Sequence, residues 1–206
     1  MNAQQLMETE LFKRCADFHG HVCPGLCIGF KAATTAMEML KDGRAQDEEM
    51  VAIVETDACC ADAVQVITGC TFGKGNFIYK DYGKMVFTFL SRKSGRSIRV
   101  AIRPGAFEPD AEHFALLQKI IQNTADEQEQ ERFRKLHFKR SCDVLDMTVD
   151  DLFTIAPIKL NFPAKAKIER SEACEQCGEP CAEFAARIQR GKTVCLDCFA
   201  VYDRGW

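Results

Sequence analysis

Hydrophobic and polar positions in the first third of the chain follow helical and strand periods in turn. The pattern predicts a helix over residues 5–16 and a second helix from Pro24 to Leu40, with apolar residues at helical spacing. The apolar run "VAIVET", residues 51–56, predicts a strand that is buried on both faces. Asp57 is placed to cap a helix over residues 58–69, which Gly69 would end.

The remaining pattern mixes both element types. "MVFTFLS" and "SIRVAIR" flank "RKSGR" and predict a hairpin. "PDAEHFALLQKIIQ", residues 109–122, predicts a helix with Phe114, Leu117 and Ile120 or Ile121 on its apolar stripe, and a more charged helix follows over about 126–140. "LFTIAPIKLNF" predicts a last strand at a sheet edge, where a proline is tolerated. The fold class is therefore α+β, with a core domain over 1–162 and a linker and small module over 163–206.

Composition and charge narrow the function classes. The chain has 206 residues and a net charge of −3, so no overall basic field favours nucleic acid as a partner. We find no apolar run near the roughly 18 residues of a membrane span and no signal-peptide pattern, and we expect a cytoplasmic protein without membrane partners. The twelve cysteines are then expected to stay reduced, which favours metal or thiol chemistry. Four of them fit small buried hydrophobes instead: Cys15, Cys27, Cys60 and Cys142.

The tail carries two C-x-x-C pairs. Cys174 and Cys177 are followed, after seventeen residues, by Cys195 and Cys198, a spacing typical of a four-cysteine zinc site. Four thiolates complete a tetrahedron around Zn²⁺, which favours a structural zinc with no open position. Cys181 is expected to be a bystander.

The residues around these pairs complete the expectation for the tail. It resembles a treble-clef finger, with two short strands around "RG" at 190–191 and a short helix starting in "LDCFAVY". Residues 163–206 hold seven basic and seven acidic residues, too balanced for a surface that tracks phosphates.

A second cluster of ligand-type residues lies near the start of the chain, in "FHGHVCPG". His19, His21 and Cys23 share one face if this segment is extended, because alternate side chains then point the same way. They can converge on one ion or one ligand. The alternative is that one histidine bonds to the Pro-Gly turn and that Cys23 is packed away.

The segment "TDACCADAVQVITGCTFGKGN", residues 56–76, is the other candidate. Cys59 would lie in the first turn of the helix that Asp57 caps, where backbone N–H groups lower a thiol pKa, and Asp62 lies on a neighbouring face. The glycine-rich end does not match a nucleotide-binding P-loop. Lys74 within it can hold an anionic group of a ligand or cofactor, or can simply be solvated.

Three motifs together resemble the family of the E subunit of formylmethanofuran dehydrogenase: "FHGHVCPGLCIGFKAA", "TDACCADAVQVITGCTFGKGNFIYKDYGK" and the tail "CEQCGEP…CLDC". The resemblance covers residues 12–160 and the tail finger. It implies an α+β core, a treble-clef zinc finger, a homodimer, and a cleft where the H-x-H-x-C segment meets Cys59 and Asp62. It also implies a link to one-carbon and molybdoenzyme metabolism, with oxidoreductase subunits as partners, although this chain has no pattern of a pterin-binding or ferredoxin-type protein.

Three functional hypotheses follow from these residues. In the first, His19, His21, Cys23 and Cys59 bind a core metal ion in an accessory or small-ligand-binding protein, and Asp62 orients a histidine or acts as a base. In the second, Cys59 is the nucleophile of a thiol enzyme, activated by His19 or His21. In the third, the protein is a scaffold with zinc only in the tail.

Overall fold

The computed structural model describes residues 1–108, 110–202 and 205, and the chain divides into two compact units, Met1–Lys165 and Ala166–Trp206. No helix among the described residues combines the length and the apolarity needed to cross a bilayer.

Unit 1 contains the α-helices of the described residues. They are α1 (Ala3–Met7), α2 (Glu10–His19), α3 (Pro24–Leu40), α4 (Cys60–Thr68), α5 (Ala111–Ile121), α6 (Glu127–Asp146) and α7 (Val149–Leu152), with a short 3₁₀ helix at Phe72–Lys74. The predicted helix over 5–16 is in fact two helices. The break comes at Thr9, whose hydroxyl caps α2 by accepting the backbone N–H of Phe12 at 3.3 Å.

The strands of unit 1 form one five-stranded sheet in the order β2-β1-β3-β4-β5. They are β1 (Met50–Val54), β2 (Phe77–Tyr79), β3 (Val86–Ser91), β4 (Ser97–Ile102) and β5 (Phe153–Pro157). β1 and β2 are parallel and the other neighbours are antiparallel. This mixed architecture confirms the α+β class, the β3–β4 hairpin and the edge position of the proline-containing strand. The short strand β2 is an element that the sequence pattern does not predict.

The two faces of the sheet are covered differently. Met50, Ala52 and Val54 of β1 join the main core with helices α3 and α4, whereas Val51 and Ile53 pack on the other face with Leu90 and the partly buried Phe162. β1 is therefore buried on both faces, as its unbroken apolar run predicts.

Helix α5 differs from its predicted orientation. Its N-cap is Asp110, and Pro109 lies outside the described residues. The buried residues are His113 and Leu116. Of the predicted apolar stripe, Phe114 is 51% exposed and Ile121 64% exposed, while Leu117 and Ile120 are half-buried, so the stripe is only partly covered. His113 is oriented inward by a contact that helical periodicity does not encode: its Nε2 atom lies 3.0 Å from Nδ1 of His137 on α6.

Unit 2 is built from two small hairpins with a 3₁₀ helix, Glu183–Ala185, between them. One hairpin pairs β6 (Ser171–Ala173) with β7 (Pro180–Ala182), and the other pairs β8 (Arg187–Gln189) with β9 (Lys192–Val194). The second hairpin confirms the predicted turn at 190–191, where both residues have positive φ. The predicted helix in "LDCFAVY" is wrong: residues 196–198 form a turn, which the N–H of Phe199 closes by donating to the carbonyl of Cys195 at 2.9 Å.

Candidate metal centres

The ends of two consecutive helices position the H-x-H-x-C segment. Helix α2 ends at His19, and Gly20 follows in the left-handed conformation that terminates helices, with φ 91°. Cys23 is the N-cap of α3, and its Sγ atom accepts the backbone N–H of Leu26 at 3.3 Å. The fully extended segment expected from the sequence is therefore wrong for His19, which is helical. The tight connection still brings the two histidines and the cysteine together.

Helix α4 brings Cys59 to the same place. The helix begins at Cys60, with Cys59 as a helical N-cap residue that makes no side-chain capping bond. The predicted cap by Asp57 is wrong: Asp57 is exposed, and the hydroxyl of Thr56 accepts the backbone N–H of Ala58 at 3.2 Å in a turn that leads into the helix. Cys59 therefore lies just before the first turn.

Donor atoms of His19, His21 and Cys23 all lie within 4.8 Å of one another. The Nε2 atom of His19 is 3.7 Å from Cys23 Sγ, and the centroids of the two imidazole rings are 4.5 Å apart. In a tetrahedral zinc site, bonds of about 2.05 Å to nitrogen and 2.3 Å to sulfur separate the two donors by about 3.6 Å. The measured separation therefore fits the edge of such a tetrahedron, and imidazole with thiolate is a donor set that suits zinc.

Asp62 fixes the orientation of His19. Nδ1 of His19 donates to Oδ2 of Asp62 at 2.7 Å, which leaves Nε2 directed toward Cys23. Burial lowers the pKa of His19, but the bond to Asp62 and the nearby Cys59 raise it, and the net shift is upward. A carboxylate behind a histidine is the usual outer partner of a metal-binding imidazole.

Cys59 lies close enough to Cys23 for each thiol to shift the pKa of the other. The hydrogen bond with Cys23 lowers the pKa of Cys59 to about 5 against the opposing effect of burial, and His19 lowers it further. The same bond, together with burial, raises the pKa of Cys23. Cys59 is half-buried beside the His19, His21 and Cys23 group and its lowered pKa favours the thiolate, although its own sulfur is not part of the set within 4.8 Å.

Gly25 contributes to this arrangement, and the sequence pattern did not single it out. A Cβ atom at Gly25 would lie 3.1 Å from Cys59 Cβ, 3.7 Å from Cys59 Sγ and 3.9 Å from Cys23 Sγ. The missing side chain therefore lets α3 and the Cys59 turn approach each other. Its signal in the sequence is a Pro-Gly pair directly after a candidate ligand.

Lys74 is placed elsewhere. Its ammonium group donates to the carbonyl oxygens of Ala45 at 3.4 Å and Gln46 at 3.3 Å. Ala45 packs at the C-terminal end of α4, where its N–H donates to the carbonyl of Thr68 at 2.8 Å. Because Cys59 is at the opposite end of α4, the structure does not bring Lys74 together with the other candidate residues.

The tail cysteines form the second group. Donor atoms of Cys174, Cys177, Cys195 and Cys198 lie within 4.8 Å of one another, and the Sγ atoms of Cys177 and Cys195 are 4.0 Å apart. Two thiolates on one tetrahedral zinc are separated by about 3.8 Å. Backbone N–H groups, first that of Cys177, lower the pKa of Cys174 to about 6, which favours the thiolate that a metal requires. The cluster is consistent with a zinc finger.

The other cysteines differ from these in burial and pairing. Cys15, Cys27 and Cys60 are fully buried, and burial raises their pKa values to about 11, 12 and 12. Cys142 is only half-buried, and burial raises its pKa as well. Neutral thiols of this kind behave as small apolar side chains. Cys181 lies on β7 opposite Glu172, outside the four-cysteine group.

Comparisons with known proteins identify the family of the chain. Residues 18–154 match the family model described as "FmdE, Molybdenum formylmethanofuran dehydrogenase operon". A crystal structure of an FmdE-like protein of the tungsten formylmethanofuran dehydrogenase type, from Syntrophus aciditrophicus, is similar. Its TM-score is 0.61, with 25% identity over 95% of this chain and 91% of that one.

A relative in Archaeoglobus fulgidus is 32% identical over 208 residues and is named a probable S-adenosyl-L-methionine-binding protein. The match covers 96% of this chain but 56% of the relative, so the chain spans little more than half of that protein's length. The family model, by contrast, covers both core motifs and most of unit 1. The chain belongs to the FmdE family.

Proposed function

We propose that this chain is a metal-binding protein that takes a small ligand at the core site, with a structural zinc in the tail. The observation that carries the proposal is the 3.7 Å separation between His19 Nε2 and Cys23 Sγ, with a donor atom of His21 within 4.8 Å of both. His21 is exposed, so burial does not account for its position beside His19 and Cys23.

The chain's own residues have distinct roles in this proposal. His19, His21 and Cys23 would hold the ion, with Cys59 as the candidate for a fourth ligand, and Asp62 would keep His19 in the tautomer whose Nε2 is free to bind. A zinc-class ion bound by three of these groups supplies a Lewis acid with a position for water or a ligand. Asp62 is also close enough to His19 to exchange a proton with it.

The biological setting is part of the proposal. Family membership supports a link to one-carbon and molybdoenzyme metabolism, with oxidoreductase subunits as partners and a homodimer as the assembly. The name of the Archaeoglobus relative supports a small ligand, and S-adenosyl-L-methionine is the first compound to test. Lys74 remains a candidate for an anionic ligand group only if such a ligand extends to the far end of α4.

Metal analysis of three purified proteins tests the proposal. The wild type should carry two ions per chain, the quadruple variant with serine at 174, 177, 195 and 198 should carry one, and the His19→Gln/Cys23→Ser variant should carry one. Circular dichroism shows whether unit 1 stays folded in each. A folded tail variant that holds no metal after zinc exposure would contradict the core site.

A thiol enzyme is the second candidate, favoured by the low pKa of the half-buried Cys59. Cys59 would attack an electrophile while His19 or His21 handles the proton. Iodoacetamide separates the two candidates. A metal ligand should react only after a chelator is added, whereas an activated free thiolate should react at once in the protein as purified.

A further inference from the structure

A groove of about 280 Å³ lies between α2 and α4, outside the candidate metal centres. Arg14, Asp17 and Phe18 of α2 line one side, and Gln65 of α4 lines the other, with Arg44 at one end. The two helices are those that carry His19 and Asp62, so the groove runs along the same helix pair as the core site. None of its lining residues is a proposed metal ligand.

Two arginines in the groove have guanidinium nitrogens without a hydrogen-bond partner among the described residues. Arg44 is anchored, because its Nε atom donates to the carbonyl of Val66 at 2.9 Å, but its terminal nitrogens have no partner among the described residues. Arg14 makes no hydrogen bond and no ion pair with any other residue that the structure describes. By contrast, Arg99 and Arg132 each bind a carboxylate with two nitrogens. Guanidinium groups match phosphate and carboxylate oxygens, so an anionic group is the natural ligand here.

Phe18 and Asp17 indicate the rest of the ligand. Phe18 is 60% exposed beside the groove, and an exposed aromatic ring next to these two arginines offers a stacking surface for a planar ring. Asp17 also lines the groove; its carboxylate disfavours a second anionic group and accepts hydrogen bonds from hydroxyl or amine groups. A small ring-bearing molecule with hydroxyls and one anionic group satisfies all of these side chains.

We infer that the groove binds a mononucleotide-like ligand: its ring stacks on Phe18, its hydroxyls face Asp17, and its anionic group meets Arg14 and Arg44. The volume lies just below the range of about 300–1,000 Å³ that is usual for ligand pockets, so the ligand is small and partly exposed. Binding in this groove does not require a metal ion in the core.

Calorimetric titration of the full chain with adenosine 5′-monophosphate tests the inference. The wild type should bind one molecule per chain. Arg14→Gln should weaken binding of the nucleotide about tenfold and leave binding of adenosine unchanged, because it removes one charged hydrogen-bonding group. Phe18→Ala should weaken both about tenfold, since stacking on an aromatic side chain contributes to both. Arg96→Gln, on the exposed β3–β4 turn, is the matched control and should bind like the wild type.

Three results would overturn the inference. The first two are a wild type that shows no saturable binding and equal effects of Arg14→Gln and Arg96→Gln. The third is inorganic phosphate that binds as tightly as the nucleotide, because the groove would then be a simple anion-binding patch. The Cys23→Ser variant separates this inference from the proposed core metal. If folded, it should bind the nucleotide like the wild type whether or not it retains metal, and loss of nucleotide binding would exclude the groove as an independent site.

Discussion

Replacing Gly29 with alanine should separate the two helices that carry Cys23 and Cys59. Gly29 lies within α3 and faces the start of α4, where an added Cβ would overlap the carbonyl oxygen of Cys60 and lie 2.7 Å from its Cα. Carbon atoms in contact prefer separations of about 3.5–4.0 Å. The methyl group therefore requires the backbone of α4 to move by about 1 Å.

The expected loss of stability can be worked from this contact. Overpacking costs about 1–3 kcal/mol, and the upper end applies because the obstacle is backbone that cannot change rotamer. This loss is partly offset, because alanine stabilises a helix interior by about 1 kcal/mol relative to glycine. The free energy of unfolding should therefore fall by about 2 kcal/mol.

Urea denaturation followed by circular dichroism measures this change. Gly43→Ala is the matched control, because a Cβ there meets no atom within 4 Å and its φ is not positive. The control should have wild-type stability or slightly more. If Gly29→Ala were as stable as the control, the close approach of α3 and α4 at Cys60 would be wrong, and with it the positioning of Cys59 beside Cys23.

Three further predictions concern the site and one helix. Asp62→Asn should weaken metal binding at the core about 10- to 100-fold in a chelator competition, because it removes the carboxylate behind His19, and an unchanged affinity would contradict that role. In metal-free protein, the alkylation rate of Cys59 should be level from about pH 7 to 9, because a thiol with a pKa of about 5 is already ionised there. A rate that rises with pH, as for an ordinary thiol with a pKa of about 8.5, would refute the lowered pKa. Asp126→Ala should lower the free energy of unfolding by about 1 kcal/mol, because Asp126 caps α6 in a reciprocal bond with Glu129. The midpoint of thermal unfolding should fall in this variant, and an unchanged midpoint would contradict the capping role.

Elements with strong local signals were predictable from the sequence. The buried strand β1, the β3–β4 hairpin and helix α3 follow from apolar runs and turn residues that specify the same structure locally. The grouping of the four tail cysteines was predictable because the spacing of the two C-x-x-C pairs is typical of a site for one ion. These features depend little on distant parts of the chain.

Features that depend on tertiary contacts were not predictable. The inward face of α5 is set by His113 meeting His137 across the α5–α6 pair, which no helical period encodes. The start of α4 is decided by a turn at Thr56, so the more obvious cap, Asp57, remains exposed. The role of Gly25 depends on a neighbour that is distant in sequence, Cys59.

X-ray absorption at the zinc edge would show whether imidazole and sulfur donors from separate segments of unit 1 bind one ion. The experiment uses the variant with serine at the four tail positions, loaded with one equivalent of zinc, so that only the core contributes. We predict a mixed shell, with nitrogen at about 2.0–2.1 Å and sulfur at about 2.3 Å. A shell of oxygen alone, without sulfur or imidazole scattering, would contradict the core metal centre.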